Sequence, residues 1–255
     1  MKNTIKLIKR RFINQSGFTL VELVVAMTVG AFIMGGALAI MTQLFWVTSD
    51  NSNYMAAYRQ VQNAGDWISQ DALTVQQVYD FSSTALDGNI SDSQDTIQVD
   101  STSSFPPYGV ILIEDELIQY INKTDNTFEG CIRSDNPTAH EDAASVDCFI
   151  TLIWTDWPGN EHQIIYTLED TASEVRQLKR YHFIREKGTA VFNQQDSNLI
   201  AQIIDPANTS SNWIESDKEL TVTITAKAGG YVLFRLNKHS EPATRTYKIH
   251  PRPLS

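Results

Sequence analysis

From Phe18 to Met41 runs an apolar segment of 24 residues, interrupted only by Thr19, Glu22 and Thr28. Coiled as an α-helix it is about 36 Å long, enough to cross a hydrocarbon core of roughly 30 Å. The core of an ordinary secretory signal, about 7–15 residues, is much shorter. The segment therefore reads as a spanning helix over 18–41. Lys2, Lys6, Lys9, Arg10 and Arg11 precede Gly17 and no acidic residue does. The positive-inside rule keeps this flank in the cytoplasm and puts everything beyond Met41 in an extracytoplasmic space. The discordant residue is Glu22. An ionised carboxylate in a bilayer costs several kcal/mol, so its presence calls for a partner.

The basic leader over 1–17, Gly17, the run Phe18-Thr19-Leu20-Val21-Glu22 and the apolar helix occur in an order that resembles the amino terminus of type IV prepilins and of the pseudopilins of type II secretion. The resemblance is confined to the start of the chain, but it fixes a glycine, the aromatic after it and the acid that follows. It implies that a membrane-embedded prepilin peptidase cuts between Gly17 and Phe18 and methylates the new amino group of Phe18, leaving the apolar helix on the mature protein. It also implies a partner for Glu22. The Phe18 amine is a cation one helical turn away, and in a packed filament Glu22 of an incoming subunit pairs with the Phe18 amine of the subunit already added. A buried charge left alone is costly, so the pairing acts as a register device. The partners implied are prepilin peptidase, other pilin or pseudopilin subunits, an inner-membrane assembly platform and, before assembly, membrane lipid. In related pilins a proline commonly marks a stretch of this helix that unwinds. Ala39 stands there, which tilts the resemblance toward a minor pilin or pseudopilin.

Helical spacing continues past Met41. Tyr54, Tyr58, Val61, Gly65, Ile68, Ala72, Val75 and Tyr79 recur at alternating steps of four and three, which predicts an amphipathic helix over 42–81. Ser49-Asp50-Asn51-Ser52 is a poor helix former, expected to loosen the junction. In the first half, Ala26/Gly30 and Ala31/Gly35 have the small-xxx-small spacing that permits close helix packing.

From about Ser82 the period changes to short runs separated by turn residues, the pattern of antiparallel strands. The clearest runs are 96–99, 110–113, 117–121, 150–154, 164–168, 175–183, 220–225 and 231–236, with a turn at Gly229-Gly230 and a last strand around Tyr247 to Ile249. Helix first and sheet afterwards predicts the α+β class, a long amino-terminal helix packed on a β-rich domain over 82–255. Ser101 to Pro107 reads as a linker, so 95–148 is a candidate inserted β subdomain. The segment from Asn193 to Trp213, with Pro206 inside it, reads as a surface loop.

The chain holds 20 Lys plus Arg and 30 Asp plus Glu, and without its first 17 residues the basic count falls to 15, a formal charge of −15. Such an acidic body is poorly suited to holding a phosphate backbone, so nucleic acid is not an expected partner. Cys131 and Cys148 are the only cysteines. An even count outside the cytoplasm favours a disulfide, with two buried thiols the alternative. His140, His162, His182, His239 and His250 lack metal-ligand spacing, and no nucleophile elbow appears. No enzyme is therefore expected, and no cofactor beyond calcium at Glu114-Asp115-Glu116 or Glu141-Asp142. Those clusters do not follow the EF-hand pattern and read more simply as solvated turns. Trp154 and Trp157, beside Pro158-Gly159, fit an aromatic platform or plain edge packing. Three functions are open: a structural filament subunit, an adhesin or DNA-capturing binding tip, and a signal-anchored enzyme. Only the first has a motif behind it.

Overall fold

The computed structural model describes residues 18–134, 136–171, 175–227 and 242–251. The leader with Gly17, the strand expected at 231–236 and the turn at Gly229-Gly230 lie outside the described residues. The chain divides into two units, Met1–Ser49 and Asp50–Ser255.

Helix α1 spans Leu20–Ala72, 53 residues, or about 80 Å. It runs unbroken through Ser49-Asp50-Asn51-Ser52, so the expected loosening is not seen. Every described residue from Phe18 to Ser49 is exposed. Further on the helix becomes amphipathic. Ala57, Val61, Ala64, Gly65, Ile68 and Ala72 are buried, a stripe built on steps of three and four. The helix stops at Ala72 rather than continuing to 81. Thr74 and Val75 are β-branched and poor helix formers, and the chain turns there into strand β1 (Gln77–Tyr79). Val75 and Val78 still reach the core, but from a turn and a strand.

Then follow β2 (Ser82–Ala85), β3 (Thr96–Gln98), β4 (Gly109–Ile113), β5 (Glu116–Tyr120), β6 (Asn122–Lys123), β7 (Thr127–Glu129) and β8 (Ser145–Cys148). After them come β9 (Ile150–Thr155), β10 (Glu161–Glu169), β11 (Arg176–Arg185) and β12 (Asn193–Ile204). The described chain closes with β13 (Ser210–Ile214), β14 (Glu219–Ala226) and β15 (Ala243–Ile249). The main antiparallel sheet has the order β1-β9-β10-β11-β12-β14-β13, with β15 also on β14. A second sheet is β2-β8-β4-β5 and a third is β3-β7-β6.

Strand β10 shows how the layers stack. Ile164, Tyr166 and Leu168 join a core with the buried stripe of α1, whereas Ile165 joins a second core with Ile97, Ile111 and Phe128 from the small sheets and Phe105 from the segment between β3 and β4. Successive residues of a strand face opposite sides, so the main sheet is covered on both faces at β10. That is why β10 is buried without alternation from Gln163 to Glu169.

Two other expectations change. Ser101 to Pro107 is not a free linker: Thr102 and Phe105 are buried, and the Phe105 ring meets Phe128 edge-on at 5.2 Å. Asn193 to Trp213 is not a loop, since β12 and β13 occupy most of it. Pro206 is confined to a single 3-10 turn, where the Asp205 side chain accepts from the Ala207 amide. The polar first half of β12 is strand because its backbone ladders onto β11, and its polarity reports exposure, not a turn.

Several polar contacts join the helix to the sheet, among them Asn63 Nδ2 donating to the Ile200 carbonyl at 3.0 Å and the Gln202 amide donating to Oε1 of Gln60 at 2.6 Å. At the last turn of α1, Asp71 accepts from the Tyr166 hydroxyl and from Nε and Nη2 of Arg180, the latter two at 2.7 and 3.2 Å. Arg180 also donates to Asp196 at 2.9 Å and lies over the Trp67 ring. Strand β15 packs close to the helix at Gly65, where a β-carbon would fall 1.9 Å from Cζ of Tyr247. The Tyr247 hydroxyl donates to the Val61 carbonyl at 3.2 Å. Glycine in a helix costs up to about 1 kcal/mol relative to alanine; here the ring fills the side-chain space. Gly65→Ala is therefore expected to destabilise the second unit by about 1–3 kcal/mol. Tyr247→Ala should cost less in the Gly65→Ala background than alone, because the clash is gone. Urea melts of the native chain, the two single variants and the double variant check this, and simple additivity would contradict it.

Candidate assembly site

Thr19 stands immediately before the first helical residue, Leu20. Its amide and its hydroxyl both donate to Oε2 of Glu22 at 3.0 Å, and the Glu22 amide donates to Oγ1 of Thr19 at 3.2 Å. This is a reciprocal capping box, with Thr at the N-cap and Glu at the third helical position. It satisfies amides that a helix start otherwise leaves without partners. The Thr-x-x-Glu spacing that signals it is present in the sequence, but a reading that treats Glu22 only as a charge passes over Thr19. Both bonds fall on Oε2; among the described residues Oε1 takes none, so one carboxylate oxygen is open to an external cation.

Phe18 is 85% exposed. Ala26, Gly30, Ala31 and Gly35 lie on the exposed apolar stretch, and a β-carbon at Gly30 or Gly35 would meet nothing within 4 Å. Leu20–Ala72 is long and apolar enough to cross a membrane.

The expected disulfide is not formed: Cys131 and Cys148 are free, buried thiols. Cys131 follows β7 of the third sheet and its Sγ donates to the Phe128 carbonyl at 3.5 Å, whereas Cys148 ends β8 of the second and its Sγ sits 2.9 Å from the Thr151 hydroxyl. Each thiol has its own partner on a different sheet, and an even cysteine count says nothing of the geometry a bridge requires. Burial pushes both thiols up to about 12, so they serve as protonated core residues.

The acidic cluster at 114–116 splits between surface and interior. Glu114 occupies the β4–β5 turn at φ 53°. Glu116 is buried and accepts from Nε and Nη2 of Arg133 at 2.9 and 2.7 Å and from the Thr138 amide at 3.2 Å, with Nε2 of His140 at 3.0 Å. Burial alone would push its carboxyl up, but Arg133, His140 and Thr138 outweigh it and hold it at about 2. A carboxylate so fully bonded ties its neighbours together. Among the described residues, no group of three or more His, Cys, Asp or Glu is placed to hold a metal ion. His162 and His182, twenty residues apart, meet across β10 and β11. Trp154 stacks on His162, and Trp157 is 99% exposed.

Comparison with curated proteins and with solved structures gave no match. A family model for the prokaryotic N-terminal methylation motif matches residues 13–38. The match begins in the basic leader, ends inside α1 and brackets Gly17, Phe18, Thr19 and Glu22. Through it the chain carries the amino-terminal signature of type IV prepilins and pseudopilins.

Proposed function

We propose that the chain is a minor pilin or pseudopilin. It is a structural subunit, cut by prepilin peptidase between Gly17 and Phe18, methylated on the Phe18 amine, and built into a type IV pilus or a type II secretion pseudopilus. The observation that carries this reading is the methylation motif at 13–38, whose residues from Leu20 onward lie in a helix that is exposed on every side as far as Ser49. A helix apolar all round must be covered by lipid or by other helices. The two coverings correspond to the subunit before and after assembly, in the inner membrane with the second unit outside the cytoplasm, and in the filament. The open Oε1 of Glu22 supports its role as the carboxylate that meets a neighbour's amine. Chains with this motif are generally structural, and no reaction is assigned to this one.

Intact mass and amino-terminal sequencing of the chain extracted from membranes that contain prepilin peptidase test the reading. The expected product begins at Phe18 and carries one added methyl group. An uncut chain, or one cut after Met41, overturns it.

A further inference from the structure

Segment 106–109 carries the chain into β4 and lies against β10. Polar contacts seat it there. The buried Tyr120 hydroxyl donates to the Pro106 carbonyl at 2.7 Å. The Tyr108 hydroxyl and Nη2 of Arg185 both donate to Oε2 of Glu161 at 2.8 Å, and the Arg185 guanidinium lies 4.1 Å over the Tyr108 ring. Gly109 meets Gln163: a β-carbon there would fall 2.5 Å from Nε2 and 3.2 Å from Oε1 of the glutamine amide. Glu161 and Gln163 stand two residues apart on β10, so with Ile165 they share the face that looks toward the small sheets. The neighbours of Gln163 across the sheet are Ile153 of β9 and Phe183 of β11, both buried and apolar.

This seat leaves three polar atoms over. Oε1 of Glu161 and both amide atoms of Gln163 are closed to solvent and have no hydrogen-bond partner among the described residues. Gln163 as a whole is 0% exposed. Buried polar atoms left without partners are rare because each is costly. Two of the three are acceptors and one is a donor, so an occupant must both give and take hydrogen bonds. Arg185 already balances the charge of Glu161, and a cation would also meet the Nε2 donor. An anion would face the carboxylate. The occupant is therefore neutral, and closure to solvent makes it small. Water meets each condition, since it gives and accepts hydrogen bonds and is held where two to four polar partners converge. The spacing suits it. Residues two apart on one strand are about 7 Å apart, and a water bonded at both ends spans roughly 5.5 Å.

We propose that Glu161 and Gln163 hold an ordered internal water, which donates to Oε1 of Glu161, bonds the Gln163 amide and completes the seat of segment 106–109 on the main sheet. The carboxylate then has partners on both oxygens, Tyr108 and Arg185 on one and water on the other. The amide atom that this water does not reach takes a second.

Cross-relaxation between water and the Gln163 side-chain amide protons, measured on the isotope-labelled full-length chain in detergent micelles, tests this. Those protons are expected to show direct transfer from water, with the sign that marks a long-lived molecule. The transfer should persist in Tyr108→Phe, which removes the hydroxyl bonded to Glu161 and with it a relay by hydroxyl exchange. No transfer in the native chain, or transfer lost in Tyr108→Phe, overturns the proposal. Gln163→Met keeps the bulk of the side chain and removes both amide atoms. Urea melts are expected to show its unfolding constant raised about fivefold or more, because the water and Glu161 lose a partner. An unchanged or lowered constant, the result for an amide buried with nothing bonded to it, overturns the proposal as well.

Discussion

A Glu22→Gln chain is expected to reach the membrane and to be cut and methylated like the native chain, yet to enter filaments at least about tenfold less often. The substitution separates the two things Glu22 can do. Glutamine at the third helical position still completes a capping box with Thr19, so the helix start is preserved. What it lacks is the charge that a neighbouring subunit's amine would meet. Leaving one end of a desolvated ion pair without its partner costs several kcal/mol, and each 1.4 kcal/mol is a factor of ten in an equilibrium. Glu22→Ala removes the cap as well, worth about 1 kcal/mol, and should assemble no better than Glu22→Gln. The fraction of each variant recovered in sheared filaments, against the fraction left in membranes, gives the answer. If Glu22→Gln assembled normally while Glu22→Ala did not, the capping box would be the whole role of Glu22 and the pairing reading would be wrong.

The parts of this structure legible in the sequence are those whose physics is local. A membrane-spanning helix must satisfy its own backbone, so length and composition suffice to announce α1, and the methylation motif is read residue by residue. Strands such as β4, β9 and β14 are dense in Val, Ile, Leu and Thr and declare themselves. The first half of β12 is Asn, Gln, Asp and Ser, the vocabulary of turns, and only its ladder to β11 makes it a strand. The end of α1 was obscured because Val75 and Tyr79 keep the helical step after the helix has become a turn and a strand. Sites divide the same way. Thr19 and Glu22 are three residues apart and readable. Glu116 with Arg133 and His140, or His162 with His182, meet only through strand register and turn packing. No spacing rule encodes those meetings, and the same gap makes a cysteine count a poor guide to whether Cys131 and Cys148 are bonded.

Arg180→Ala is expected to destabilise the second unit by about 3–5 kcal/mol, the largest effect of any single substitution considered. The side chains of Arg180 and Asp71 are only 8% and 13% exposed, and the pair joins the last turn of α1 to the middle of the main sheet. Without the guanidinium, the Asp71 carboxylate remains buried with the Tyr166 hydroxyl as its remaining donor. Trp67 also loses the cation above its ring. Most of the expected cost is that uncompensated charge rather than the net worth of the pair. Asp71→Asn combined with Arg180→Met should therefore be more stable than Arg180→Ala alone, because asparagine can still accept from Tyr166 and no charge is left behind. Urea melts of the three chains, with hydrogen exchange of the α1 amides from Ala57 to Ala72, distinguish a pin between helix and sheet from an ordinary surface pair. A pin requires the α1 amides to lose protection along with the sheet. A loss under about 1 kcal/mol, the range of exposed pairs, would place the hold of helix on sheet in the apolar stripe from Ala57 to Ala72 alone.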